Sequence, residues 1–256
     1  MEYGISKLSI IPGRAEPSDK AENITQILFG EHYTIIDSNE KWLKVELAHD
    51  QYQCWIDKKQ HTGMSKEQFD LLESIENPRT LDLLGIAKDN VHNTYHNIPM
   101  GSQLPFFDDG EFSIEDSEFR FKGNLAVQEK DNLIPYAHLY LHAPYLWGGR
   151  TPFGIDCSGF AQMCYKLIGI QIPRDAYQQA EIGEELASIE DTQLGDLVFF
   201  DNEDKKITHV GLMISKDEVI HASGRVRIEK IDKRGIYNVD LKGYSHSLCK
   251  IKRVLE

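Results

Sequence analysis

The chain has 256 residues, 41% of them hydrophobic and 27% charged, with a formal net charge of -13, a length that suits one large or two to three small folded domains. Such an acidic chain repels a phosphate backbone, so nucleic acid is not an expected partner, and no apolar run approaches the eighteen residues of a membrane span. The opening MEYGISKLSIIPGRAEPSDK lacks a basic segment followed by an apolar one, which predicts a cytoplasmic protein unless a leader was removed; Cys54, Cys157, Cys164 and Cys249 show no CxxC spacing, so neither a disulfide framework, a metal site nor a cofactor is expected.

Residues 1–62 read as short strands. QILFGEHYTIID, KWLKVEL and QYQCWID are rich in β-branched and aromatic residues, and Gly30, DSNEK and AHDQ punctuate them as turns. That spacing predicts a small barrel. The run from Arg14 to Ile56 resembles a bacterial SH3-like domain. Ser65 to Ile75 then reads as a short amphipathic helix with Ser65 as N-cap and an imperfect capping box. Residues 63–128 are taken as this helical linker followed by NIPMGSQLPFFDDGEFSIEDSEFRFKG, either a second, diverged SH3-like barrel or an irregular linker with one hairpin.

From residue 129 to 256 the pattern changes. KDNLIPYAHLYLHAPY has helical spacing, and a second helix is predicted from Cys157 to about Ile168, stopped by Gly169 and Pro173. GDLVFF, HVGLMI and EVIHAS follow as strands. Helices followed by antiparallel strands imply an α+β domain.

Cys157 stands where the glycine-rich turn YLWGGRTPFGID becomes that helix. A helix N-terminus offers unpaired N–H groups and the positive end of the peptide dipole, which favour a thiolate and can receive an oxyanion. The plainer reading is a buried structural cysteine, as expected for Cys164 two turns further on. His209 and His221 lie on two strands joined by the turn near Ser215 to Glu218. A hairpin there brings both imidazoles together, one as base toward Cys157 and the other as its orienter. The remaining histidines, His49, His61, His138 and His246 among them, carry no such context.

Together, YLWGGRTPFGIDCSGF, IPRDAYQQ, GDLVFF, THVGLMI and VIHASG, in consistent order over about residues 135–225, resemble the NlpC-type cell-wall peptidases, a papain-like family. The resemblance implies Cys157 as nucleophile, His209 as base, His221 as the third residue and Tyr145 beside the thiol. It implies a papain-like catalytic domain preceded by one or two SH3-like barrels. An N-terminal SH3-like domain together with IPRDAYQQ is similar to the γ-D-glutamyl-L-diamino acid endopeptidases. These act on murein peptides with a free N-terminal alanine. That implies an amine-binding corner from Ser158, Asp175, Tyr52 and, less directly, Glu16, for which Glu22 is an alternative. A bound ammonium does need a carboxylate with hydroxyl acceptors around it. Asp175 reads equally as a helix cap, Tyr52 as a barrel core or interface residue, and Trp147 as a wall of the site. Two rivals stay open: an exported endopeptidase cutting intact murein, and a catalytically silent wall-binding protein.

Overall fold

The computed structural model describes residues 2–255, which divide into two compact units. The first runs to Ala126 and includes Gly148–Pro152. It opens with strands β1 (Glu2–Ile5), β2 (Ile10–Arg14), β3 (Asn23–Leu28), β4 (His32–Ser38), β5 (Trp42–Leu47), β6 (Gln53–Asp57) and β7 (Thr62–Met64). These form one antiparallel sheet in the order β3-β2-β6-β5-β4-β1-β7. The alternation that predicts these strands sets their inner face. Leu43, Val45 and Leu47 of β5 and Cys54 and Ile56 of β6 point inward with Ile11, Ile27 and Tyr33, while Lys44 and Glu46 point outward.

Helix α1 (Lys66–Ser74) begins at Ser65, whose hydroxyl accepts the N–H of Gln68 while Gln68 accepts the N–H of Ser65. The capping box is therefore complete, closed by Gln68. Strands β8 (Leu84–Asp89), β9 (Thr94–Pro99), β10 (Glu111–Ile114) and β11 (Ser117–Phe121) build a four-stranded antiparallel sheet in the order β10-β11-β8-β9. Residues 84–121 thus form an ordered sheet rather than an irregular linker. It shares a core with the first sheet and α1 through Phe29, Leu72, Phe112 and Phe119. The two-residue strand β12 (Arg150–Thr151) completes this unit. Arg150 is fully buried, with its guanidinium bidentate on Glu31 at 2.9 Å to each oxygen and its Nη1 donating to the Gln26 carbonyl. That pairing explains why residues 148–152, inside the stretch 129–256 expected as one domain, belong to the first unit.

The second unit holds α2 (Leu133–Leu139), β13 (Gly154–Ile155), α3 (Cys157–Leu167), α4 (Ala176–Gln179), β14 (Glu184–Glu185), β15 (Leu197–Asp201), β16 (Ile207–Met213), β17 (Glu218–Ser223), β18 (Arg225–Asp232), β19 (Gly235–Asn238) and β20 (Gly243–Arg253). Every residue of α3 is buried, as an apolar helix at the centre of a domain must be. Gly169 ends it in a left-handed conformation (φ +83°), with the N–H of Ile170 returning to the carbonyl of Tyr165. The sheet order is β14-β20-β15-β16-β17-β18-β19, and β19 also pairs with β20, so strands β15–β20 close on themselves. One face, with Val210, Leu212 and Ile220, lies toward α3. The enclosed face carries Val198, Phe200, Met213, Val219, Ile231, Ile236 and Ile251.

Candidate active site

Cys157 is the first residue of α3 and is 5% exposed. Asp156 caps the helix by accepting the N–H of Gly159 at 2.6 Å. The same carboxylate holds the buried Arg174 guanidinium in a fork, Nη1 to Oδ1 at 3.0 Å and Nη2 to Oδ2 at 2.6 Å. Arg174 Nη1 also donates to Ser158 Oγ at 3.0 Å. The start of α3 is thereby clamped by a buried ion pair, and the nucleophile candidate follows its aspartate directly.

The thiol is bracketed by the backbone on either side of His209. Its Sγ lies 4.0 Å from the carbonyl of Thr208, and the N–H of Val210 is directed at it. Burial pushes the Cys157 thiol up to about 12, and the adjoining Asp156 carboxylate adds to this. The N–H groups of Val210 and Ser158 and the Arg174 guanidinium pull the other way and are outweighed. The helix-start N–H groups favour the thiolate, as the sequence implies, but do not outweigh burial. The resting group is a thiol, because burial costs the anion more than the helix end returns.

A neutral thiol needs a base. His209 is 7% exposed, and burial, then the neighbouring His221 and His246, hold it well below 6.5, so it rests as a neutral imidazole. Its Nε2 is 2.8 Å from Nδ1 of the fully buried His221. The two residues are diagonal neighbours on the enclosed face of β16 and β17, in the register set by Leu212 opposite Ile220. A β-carbon at Gly211 would meet Val219 Cγ2 at 2.5 Å and lie 3.2 Å from Cβ of His221, so this position must stay small. That His221 contact engages Nε2 of His209 and leaves its Nδ1 outside the His209–His221 bond.

Two contributors were not foreseen. His221 Nε2 is 2.9 Å from Oε2 of Glu229, a carboxylate 5% exposed on β18. His246 of β20, read from sequence as bland, stacks on His209 with ring centroids 4.3 Å apart. Burial, then His221, lowers His246 to about 4, so it too is neutral. In RVRIEKID Glu229 is buried while Ile228 and Lys230 point out, an inverted pattern that alternation alone does not single out.

Tyr145 is half-buried, and its N–H is fixed on the carbonyl of Gly224 at 3.0 Å. Burial, then Cys157 and Asp156, push its phenol up, so its hydroxyl stays protonated beside the thiol and can donate. The Ser158 hydroxyl accepts from Arg174 and lies 3.4 Å from Asp156, so its first engagement is with the clamp. Asp175 occupies the N-cap position of α4, its N–H donating to Gln178 Oε1 at 3.2 Å. Trp147 is 57% exposed. Tyr52 and Glu16 are on the first unit: Tyr52 packs against the core of the first sheet, and Glu16 is exposed on the turn after β2. Among the described residues, no three His, Cys, Asp or Glu side chains converge as a metal site.

A cysteine at the buried start of a helix, packed against an antiparallel sheet whose β16 backbone beside His209 meets the thiol and whose His209 bonds His221, defines a papain-like cysteine peptidase. The NlpC/P60 family matches residues 142–244, and the bacterial dipeptidyl-peptidase SH3 domain matches residues 13–60. Dipeptidyl-peptidase 6 of Lysinibacillus sphaericus is 30% identical over 89% of this chain and 91% of that protein. The chain belongs to the NlpC/P60 family. The γ-D-glutamyl-L-lysine dipeptidyl-peptidase of Bacillus cereus is 28% identical over 77% of this chain, which spans 66% of that relative's length. The crystal structure of an NlpC/P60 family protein from Bacillus cereus shares the fold with a TM-score of 0.82 at 22% identity, covering 99% of this chain and all of that one.

Proposed function

We propose that this chain hydrolyses the γ-D-glutamyl–diamino acid bond of murein peptides bearing a free N-terminal L-alanine, releasing L-Ala-γ-D-Glu during cell-wall peptide recycling. The observation that carries the proposal is the joint presence of a dipeptidyl-peptidase SH3 domain and an NlpC/P60 domain in one chain, together with relatives named for dipeptidyl-peptidase action.

In the proposed reaction His209 Nδ1 takes the Cys157 proton and the thiolate attacks the γ-carbonyl of D-glutamate. The Tyr145 hydroxyl and the N–H groups at the start of α3 receive the oxyanion. The imidazolium then protonates the leaving amine, and water, deprotonated by His209, hydrolyses the thioester. Asp175, with Ser158, is the acidic candidate for the substrate ammonium. Tyr52 and Glu16 enter as amine-binding candidates, and Trp147 as a wall, on the resemblance alone. Tyr52→Phe and Glu16→Gln test the first two by the ratio of rates on free and N-acetylated peptide. A recycling role would place the protein in the cytoplasm, which fractionation of cells tests.

The deciding experiment is mass spectrometry of the products from L-Ala-γ-D-Glu-diaminopimelate. Release of L-Ala-γ-D-Glu is expected. An intact peptide after long incubation, with intact murein cut instead, would replace this reading by that of an endopeptidase acting on the wall itself.

A further inference from the structure

A carboxylate inside an apolar enclosure is costly and is retained only where something holds it. Glu229 is such a group. It lies on β18 opposite Val219 and two residues from Ile231, both core residues of the closed sheet, and is 5% exposed. Its Oε2 faces His221 Nε2 at 2.9 Å. Its Oε1 lies 3.1 Å from Arg227 Nη2, an ion pair without hydrogen-bond alignment, and Arg227 reaches on to Asp240 at 2.9 Å. As a carboxylate paired with Arg227, Glu229 can only accept hydrogen bonds.

That single constraint propagates. If Glu229 accepts, His221 must carry its proton on Nε2. A neutral His221 then presents a bare Nδ1. Across the 2.8 Å contact, His209 must donate from Nε2, which strips its own Nδ1 of hydrogen. The nitrogen left bare is the one required as base toward Cys157. A His221 free of Glu229 could instead carry its proton on Nδ1 and donate to His209 Nε2. His209 would then hold its proton on Nδ1 and could not take another there without becoming a cation.

The geometry points to Glu229 as a positioning residue that, through His221, fixes His209 in the Nδ1-bare tautomer and supports the imidazolium formed when Cys157 loses its proton. This rests on the proposed Cys157–His209 chemistry but not on the identity of the substrate. The proton moves from Cys157 Sγ to His209 Nδ1. The new positive charge is shared through Nε2–H to His221, and no proton need leave His221. Glu229 touches neither substrate nor thiol. Its role resembles that of the orienting acid in a catalytic triad, one imidazole further away.

The test uses the full chain, 15N-labelled at histidine, as wild type and as Glu229→Gln. Glutamine has the same shape but can donate as well as accept, so it removes the constraint with the least disturbance of packing. In the wild type, nitrogen NMR should show His209 bare at Nδ1 and protonated at Nε2, and Glu229→Gln should lose that preference. The kcat should fall by roughly tenfold to a thousandfold with KM within about twofold, in line with general-base effects. Iodoacetamide alkylation of Cys157, which needs no murein peptide, should slow in parallel.

A wild-type His209 protonated at Nδ1 overturns the inference, and that reading survives even if the variant fails to fold. An unchanged tautomer in folded Glu229→Gln, or kcat and alkylation within about threefold of wild type, overturns it as well. If the wild type leaves the murein tripeptide intact, the substrate reading fails while the tautomer and alkylation measurements still decide the role of Glu229.

Discussion

At the scale of single residues, the site combines a thiol held up by burial with an imidazole held down by burial. In the proposed reaction the two neutral partners become an ion pair as the proton moves, so each variant tests a different part of that reading. Cys157→Ala should abolish peptide cleavage and leave circular dichroism unchanged, because one small side chain replaces another at a capped helix start. Peptide mapping after brief alkylation should find Cys157 modified ahead of the fully buried Cys164, and a reversed order would remove Cys157 from the chemistry. His209→Ala should cost more than His221→Ala, the latter roughly 10²–10⁴-fold in kcat. Equal activity of the His221 variant and the wild type would reject His221 as the orienter. In the pH profile of kcat/KM, the acid limb should fall well below 6.5, since His209 resists protonation. Stability follows the same shifts. The folded-state values of His209 and His246 are depressed, so the unfolded chain takes up protons first as pH falls below 6.5, and stability is lost there. The Cys157 value is raised, so stability is lost on the alkaline side as pH climbs from 9 toward about 12. Urea midpoints measured from pH 4 to 10 should peak between these limbs.

At the scale of elements, α3 owes its position to the Asp156–Arg174 pair as much as to its apolar faces. Arg174→Met leaves a buried carboxylate unpaired and should destabilise the second unit by roughly 3–5 kcal/mol. Adding Asp156→Asn removes that orphan charge, so the double variant should be more stable than the sum of the single changes predicts. Urea titration read by hydrogen exchange at α3 amides measures both, and strict additivity would mean that the pair is not coupled. The elements that sequence reading located are those whose pattern matches their burial. β5 alternates Leu43, Val45 and Leu47 inward, and α3 is apolar between a capping aspartate and Gly169. β8 escaped because its pattern is inverted: Leu84 and Ile86 face outward at 48% and 57% exposure, while Gly85, Ala87 and Asp89 are buried. Gly85 is small of necessity, since a β-carbon there would meet the Phe121 ring at 2.5 Å. At the site, Cys157, His209 and His221 were legible because a turn, a helix start and one hairpin bring them together. Glu229 and His246 were not, because they lie outside that hairpin and reach the cluster only through the pairing of β17 with β18 and of β15 with β20.

At the scale of the whole molecule, the proposed reaction turns on recognition of the free amine of a murein peptide. An enzyme that removes a dipeptide must recognise a free ammonium two residues ahead of the cut bond, and an ammonium is held by a carboxylate with acceptor oxygens nearby. The second unit offers Asp175, which stands next in sequence to Arg174, the residue that holds Ser158 Oγ at 3.0 Å. N-acetylation of the substrate alanine deletes the charge and adds bulk, leaving such a carboxylate without its partner, a loss of about 2–5 kcal/mol for a hydrogen-bonded charge pair. At 1.4 kcal/mol per decade, kcat/KM for the acetylated tripeptide should drop by roughly tenfold to a thousandfold. Asp175→Asn should erase most of that preference by slowing cleavage of the free peptide and sparing the acetylated one, with Cys157 alkylation unchanged. Equal kcat/KM for the two peptides in the wild type would reject the dipeptidyl-peptidase reading and favour an endopeptidase. A preference that persists in full in Asp175→Asn would keep the reaction and move the ammonium to other acidic groups, for which Glu16→Gln is the next variant to measure.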